Sequence, residues 1–243
     1  MAHAEVQNPT RLSGPSSRRL FVWSAALIAV LVFVGFSRTY FLHLWFGTPN
    51  LSRFLHLHAL VMSSWILLFL VQTFLISVRR VKLHQKLGFF GIISALSVVT
   101  AGVSATFLAA RREVLAHAQD APLVTIVLAL ELTQMLMFSG FVAAGFWLRH
   151  RVDYHKRLML LATFCMLPNA IVRIVRVPSF VVPLCIWSLL IVFVVLVDCA
   201  IHRRFHPSFR WAGVEIAFLW FALFLGTSST WQHVAQLAVS RDW

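Results

Sequence analysis

The sequence predicts an all-α integral membrane protein, a bundle of seven transmembrane helices with a cytoplasmic N-terminus and a C-terminus outside. The 243 residues are 60% hydrophobic and only 12% charged, about half the charged fraction of a soluble domain. Several apolar runs are long enough to cross the roughly 30 Å hydrocarbon layer as helices. Of the 21 Lys and Arg residues, two thirds lie in alternate loops on one side of these runs. That side is predicted to be cytoplasmic by the positive-inside rule.

In chain order, residues 1–19 are polar and predict a disordered cytoplasmic tail, and residues 20–243 form a single transmembrane domain. The first apolar run lacks a small-residue cleavage site, so no cleaved signal peptide is expected. The predicted spans are 20–37, 57–78, 88–110, 122–148, 157–177, 179–199 and 211–232.

Composition excludes some functions and leaves the thiols without an assigned role. The net charge of +13 comes from short loops, which cannot form a surface that follows a nucleic-acid backbone. Cys165, Cys185 and Cys199 lie in or at the end of apolar spans without metal-binding spacing, so they are predicted to be buried thiols. No nucleotide-binding loop, hydrolase triad or zinc-protease motif is present.

The second span carries polar groups on one helical face. At steps of three and four, the residues on this face are His58, Met62, Trp65, Phe69 and Gln72. Polar groups inside a membrane turn toward protein or water, so this face is predicted to point into the bundle. The residues are interpreted either as part of a site or as ordinary packing polarity.

The third and fifth spans open with related motifs, LHQKLG over 83–88 and YHKRLM over 154–159. They place His84 and His155 at matching depth on separate helices. Bis-histidine ligation of a haem b needs such a pair. A face of small residues below His84 leaves room for a flat macrocycle and equally allows close helix packing. Two histidines at the lipid headgroups, without a cofactor, remain the alternative.

The fourth and fifth spans hold intramembrane polar residues. Glu131 and Gln134 lie well inside the fourth span, and on the fifth span Asn169 comes out at a depth similar to Glu131, with Arg173 about one turn further out. Because an unpaired charge in lipid is costly, the sequence predicts a Glu131–Arg173 pair bridged by Asn169. The pair is read as either structural or functional. Asp198 is expected to form a solvated pair with the arginines that follow it.

The segments LHLHALVMSSWILLFLVQ, LHQKLG and YHKRLMLLAT resemble a family of bacterial multi-pass membrane proteins known only as a domain of unknown function, over residues 36–169. They are also distantly similar to the two-haem transmembrane cytochromes b, which are four-helix electron carriers. This second resemblance implies His84 and His155 as the inner haem ligands and His58 as one outer ligand. The chain lacks a clear second outer histidine: His233 could reach the same side from the seventh span, His56 lies on the opposite helical face from His58, and Met62 is a weak substitute.

Three functions follow from these patterns. The first is a haem-binding protein of the bacterial inner membrane that passes electrons between a quinone-like donor, or another membrane redox protein, and an acceptor. The second is a small-solute carrier with a polar pathway of Glu131, Gln134, Asn169 and Arg173. The third is a non-catalytic assembly or accessory subunit.

Overall fold

The chain is helical almost throughout in a computed structural model that describes residues 15–47, 52–116 and 121–240. The helices are α1 (Pro15–Phe36), α2 (His43–Phe46), α3 (Arg53–Ser77), α4 (Val81–Ala116), α5 (Ala121–Trp147), α6 (Val152–Phe164), α7 (Pro168–Val175), α8 (Val181–His202), α9 (Arg210–Gly226) and α10 (Ser229–Ser240). A π-helical turn (Ser37–Phe41) joins α1 to α2, and a 3-10 turn (Pro207–Phe209) precedes α9. Helices satisfy every backbone polar group within one segment, as hydrocarbon requires.

Among the described residues, six helices are long and apolar enough to cross a membrane, and α6 with α7, bent by 41°, raises the number to as many as seven. The predicted α-helical membrane bundle is therefore confirmed, while the seventh span and the orientation stay predictions. Two boundaries were wrong. Residues 15–19 of the predicted tail belong to α1, which begins at a proline as helices often do, and residues 1–14 lie outside the described part. The predicted span 211–232 breaks after Gly226.

Six helices form a closed ring in the order α1, α3, α4, α5, α9 and α8, and each packs against the next. Helix α6 lies inside this ring, because nearly every residue from Arg157 to Phe164 is buried. The outward faces of the ring expose large apolar side chains, including Trp23, Leu60, Leu96, Phe193 and Phe224. This arrangement fits a bilayer environment, with lipid around the ring and the polar contacts collected on the central helix.

The bend between α6 and α7 follows from Pro168, which lacks the backbone N–H that a continuous helix would use. Tryptophans from two ring helices donate hydrogen bonds to the residues at this bend. The indole N–H of Trp187 donates to the Phe164 carbonyl at 3.0 Å, and that of Trp65 donates to the Thr163 hydroxyl at 3.4 Å. Both tryptophans are almost fully buried, so the bend is a fixed part of the core.

The two ends of the bundle carry different polar groups. We call the end that contains the start of α6 the His155 end, and the opposite end, where α3 starts, the His58 end.

Candidate functional site

At the His155 end, the structure brings His84 of α4 and His155 of α6 together. Their ring centroids lie 6.2 Å apart and their planes cross at 78°. Both side chains are partly buried. The matching depth expected from the two entry motifs therefore results in a direct pair.

Hydrogen bonding determines which nitrogens of this pair carry a lone pair. His155 Nδ1 lies 2.9 Å from the Gly145 carbonyl. A carbonyl only accepts, so Nδ1 carries the proton and Nε2 carries the lone pair. The His84 ring interacts with the Gln72 backbone carbonyl, while its buried Nδ1 has no hydrogen-bond partner. An unpartnered buried nitrogen is costly unless a ligand or metal completes it.

The surroundings of His84 leave space next to the ring pair. A Cβ built on Gly88, one turn along α4, would meet no heavy atom within 4 Å. A Cβ on Gly91, the next small residue of this face, would lie 3.4 Å from the Phe146 ring. Exposed basic side chains flank the pair, including Lys86 and Arg149. The predicted small-residue face is thus open near the histidine and packed farther along.

A buried ion pair next to this site was missed by the sequence analysis. Arg157 of α6 donates from Nη2 to Asp198 Oδ2 at 2.6 Å and from Nε at 3.1 Å, and both side chains are almost completely buried. Asp198 was expected to be solvated beside the arginines that follow it, which is wrong. The sequence did contain a signal for this ion pair, because Arg157 and Asp198 are the charged residues that lie deepest in their apolar spans at this end.

The pair extends into a small polar cluster. Arg157 Nη1 also donates to the Asp153 carbonyl at 3.0 Å, and Lys156 binds the Asp153 carboxylate at 2.7 Å. His202 Nδ1 lies 2.8 Å from the Asp198 carbonyl and 3.4 Å from its carboxylate. The cluster neutralises most of the buried charge at this end by direct contact.

His206, in the loop after α8, stays neutral beside this cluster. Its Nδ1 accepts the Ser208 N–H at 3.2 Å and lies 2.7 Å from the Ser208 hydroxyl, and its ring packs on Tyr154. Burial, followed by repulsion from the Arg157 guanidinium, lowers the pKa of His206 to about 4. The uncharged ring can therefore accept both Ser208 contacts at neutral pH.

At the His58 end, the predicted Glu131–Arg173 pair is wrong. Glu131 Oε2 lies 2.7 Å from the Thr106 hydroxyl of α4, and no ion pair joins it to Arg173 in the described part of the chain. Arg173 instead stacks on Phe36, 4.5 Å from the ring centroid, and donates to the Asn169 carbonyl at 2.9 Å. The reason is the bend, after which α7 packs on α1 and α8.

The remaining predicted site residues are spread over both ends. His58 Nδ1 lies 3.2 Å from the Ala101 carbonyl of α4, within electrostatic range of Glu131 and Arg173. Gln134 is buried and Gln72 partly buried, each with a side-chain oxygen that has no hydrogen-bond partner.

The other histidines named for a second haem pack elsewhere. His56 faces Tyr40 and His43 at 5.8 and 6.4 Å between ring centroids, and His233 is exposed on α10. A continuous polar pathway through Glu131, Asn169 and Arg173 is not formed by these contacts.

The thiols divide into three environments. Cys165 is fully buried and donates to Glu215 Oε1 at 3.3 Å, whereas Cys185 is exposed and Cys199 partly exposed, so the prediction of three buried thiols was wrong for two of them. Glu215 is a second buried carboxylate that sequence reasoning did not use, and its Oε2 has no partner. Its position inside an apolar span was the signal that could have identified it.

Comparison with protein-family models, with curated proteins and with solved structures found no match. The resemblances drawn from the motifs therefore stay predictions, and function is argued from the geometry of the site.

Proposed function

We propose that the chain is an electron carrier of the bacterial inner membrane that binds one haem b between His84 and His155. The observation that carries the proposal is the 6.2 Å separation of the two ring centroids. With a metal–nitrogen bond of about 2 Å on each side, two imidazoles that share one metal ion would have ring centroids about 6 Å apart. Crossed imidazole planes are compatible with this arrangement.

The residues around the pair fit such a group. The Gly145 carbonyl orients the His155 ring and leaves Nε2 free, as an outer-shell acceptor does for a metal-binding histidine. The unpartnered His84 Nδ1 supplies the second donor, and a Cβ on Gly88 would meet no heavy atom within 4 Å. The exposed Lys86, two residues after His84, would hold a propionate. When bound, haem supplies one-electron chemistry, and the chain supplies orientation and burial.

The proposal includes the membrane orientation and the electron partners. The His155 end faces the cytoplasm, α6 and α7 form the seventh span, and the partners are a membrane quinone or another membrane redox protein. Reporter fusions after Lys86 and after Asp120 are expected to report cytoplasm and exterior, respectively. The opposite pattern would reverse the orientation and leave the haem site untouched.

The haem site is tested by the Soret band of protein purified in detergent from haem-replete cells. The variants His84→Ala and His155→Ala are each expected to lose the band, because each removes one axial ligand. His150→Ala is the matched control, since His150 is exposed near the same end and makes no contact with the pair.

Two results would contradict the proposal. A wild-type protein without a Soret band rules out haem binding and leaves the accessory subunit, which the structural role of the Arg157–Asp198 pair favours. A band that survives in both histidine variants refutes the ligand assignment.

A further inference from the structure

The His58 end holds a second group of metal-binding side chains, built around one turn of α4. Ala101, Gly102 and Thr106 form this turn, and α3 and α5 pack on it from two sides. The residues that reach it are His58 and Met62 from α3, and Glu131 and Met135 from α5. None of these contacts involves the haem site proposed above.

Two methionines meet over Gly102. A Cβ built on this buried glycine would lie 2.5 Å from the Met135 sulfur and 3.2 Å from the Met62 methyl carbon. Real Cβ atoms almost never come within 3.0 Å of another atom, so the Met135 sulfur can lie here only because the residue is glycine, and the Met62 methyl carbon is in tight contact with the same position. The two side chains therefore converge at one point, although they come from different helices.

His58 presents a free nitrogen next to this point. Its Nδ1 lies 3.2 Å from the Ala101 carbonyl, so Nδ1 carries the proton and Nε2 carries the lone pair. His58 and Met62 are one turn apart on the same face of α3. His58 contacts Ala101 and the Met62 methyl carbon approaches Gly102, so the two side chains lie against consecutive residues of α4.

The local charge favours a single positive ion. The Thr106 hydroxyl lies 2.7 Å from Glu131 Oε2 and 3.0 Å from the Gly102 carbonyl, which ties the carboxylate to the same turn. Glu131 and Arg173 are both within electrostatic range of His58, so their opposite charges balance before any ion binds. A monovalent cation would add one charge to this part of the bundle and a divalent cation two, so the smaller charge is favoured.

We propose that His58, Met62 and Met135 bind a soft monovalent metal ion of the copper(I) class. Two thioethers and one imidazole are a donor set that selects copper(I), whereas zinc requires thiolate, imidazole or carboxylate ligands. In the described residues no three His, Cys, Asp or Glu side chains come together as a metal site, so the methionines decide the metal. The function is copper binding near one membrane surface, independent of haem.

The test is anaerobic titration of detergent-purified full-length protein with copper(I), in competition with a chromogenic copper(I) chelator. All proteins in the test carry Cys185→Ser and Cys199→Ser, because these accessible thiols would bind copper(I) more tightly than the thioethers do. In this background the protein with both methionines, called the wild type here, is expected to withhold one equivalent of copper(I) from the chelator. The double variant Met62→Leu/Met135→Leu is expected to bind more than about 100-fold more weakly, beyond the usual loss from one outer-shell partner. Leucine nearly conserves the volume of methionine, so the fold is retained, which gel filtration checks.

The matched control is Met137→Leu, which changes a partly buried methionine of α5 that packs against the core. It is expected to bind as the wild type does. X-ray absorption at the copper edge adds a direct readout, with sulfur neighbours expected in the wild type and absent in the double variant. Equal affinity of wild type and double variant, or a copper spectrum with nitrogen neighbours only, overturns the proposal.

Discussion

The two ends of the bundle contain the same local arrangement of a histidine, a methionine and a glycine. On each, a histidine and a methionine four residues later pack against a glycine of a neighbouring helix, while a backbone carbonyl holds the histidine Nδ1. The two sets are His155, Met159 and Gly145 at one end, and His58, Met62 and Gly102, with the Ala101 carbonyl, at the other.

The difference lies in the third side chain. At the His155 end it is a second histidine, His84, with its centroid 6.2 Å away, while at the His58 end it is a second methionine, Met135. Identical two-residue motifs therefore meet different third side chains, and under the two proposals above they would prefer different metals. The comparison teaches that such a motif must be read together with its neighbours in space.

The ends also differ in how they handle charge. At the His155 end, Arg157 and Asp198 are almost fully buried and in direct contact. At the His58 end, Glu131 is only partly buried and has a neutral partner, Thr106. Substitutions at the two ends are therefore expected to differ in cost by several-fold.

The largest effect is expected for the buried ion pair. Arg157→Leu should lower the free energy of unfolding by about 3–5 kcal/mol, because it leaves the Asp198 carboxylate buried without its partner. Thermal or denaturant unfolding of purified protein in detergent measures the change. The exposed Arg149→Leu is the control and should be near neutral.

The double variant Arg157→Leu/Asp198→Leu should recover much of this loss, since no charge is then left unpaired. If Arg157→Leu is as stable as the wild type, the buried ion pair does not stabilise the His155 end more than the Thr106–Glu131 contact stabilises the His58 end.

An intermediate effect is expected from acid at the His155 end. The pKa of His206 is lowered from 6.5 to about 4 in the folded state, so the unfolded chain binds the proton first as pH falls. The stability that the neutral ring contributes is complete above about pH 6.5, declines as pH falls, and is lost below about pH 4.

Unfolding midpoints between pH 7 and 4 measure this dependence. His206→Asn keeps a side chain suited to start the following turn but cannot titrate, so its midpoint should fall less over this range. A wild type and variant with parallel pH profiles would show that His206 does not contribute.

The smallest effect is expected at the His58 end. Thr106→Val removes the hydroxyl that contacts Glu131 and should cost about 1 kcal/mol, the usual net value of one hydrogen bond. Thr100→Val is the control, since the exposed Thr100 hydroxyl bonds only to carbonyls of its own helix. A cost for Thr106→Val as large as that for Arg157→Leu would remove the contrast between the two ends.

The sequence predicted those features that depend on one helix at a time. Apolar length gave the spans, and helical periodicity gave the inward face with Trp65 and Phe69, both buried in the structure. The matching entry motifs predicted that His84 and His155 share a depth, and the structure places their rings side by side.

The sequence did not predict the features that depend on which helices are neighbours in the bundle. The Glu131–Arg173 prediction matched depth along two helices, but the bend at Pro168 directs α7 toward α1 and α8. Asp198 was expected to be solvated at the inner end of its span, whereas the structure places it against the central helix. Depth follows from counting residues, whereas lateral order follows from packing of the whole bundle.

The Arg157–Asp198 contact also bears on how the protein is made. Its two members are 41 residues apart, so Arg157 leaves the ribosome well before its counter-charge exists. Until α8 arrives, the only carboxylate beside the Arg157 guanidinium among the described contacts is that of the half-exposed Asp153 on the same helix, 3.4 Å away. A charged guanidinium disfavours transfer of a helix into lipid by about 3 kcal/mol at mid-membrane depth and by less near the surface. The central helix is therefore expected to settle fully into the bilayer only once α8 has been synthesised.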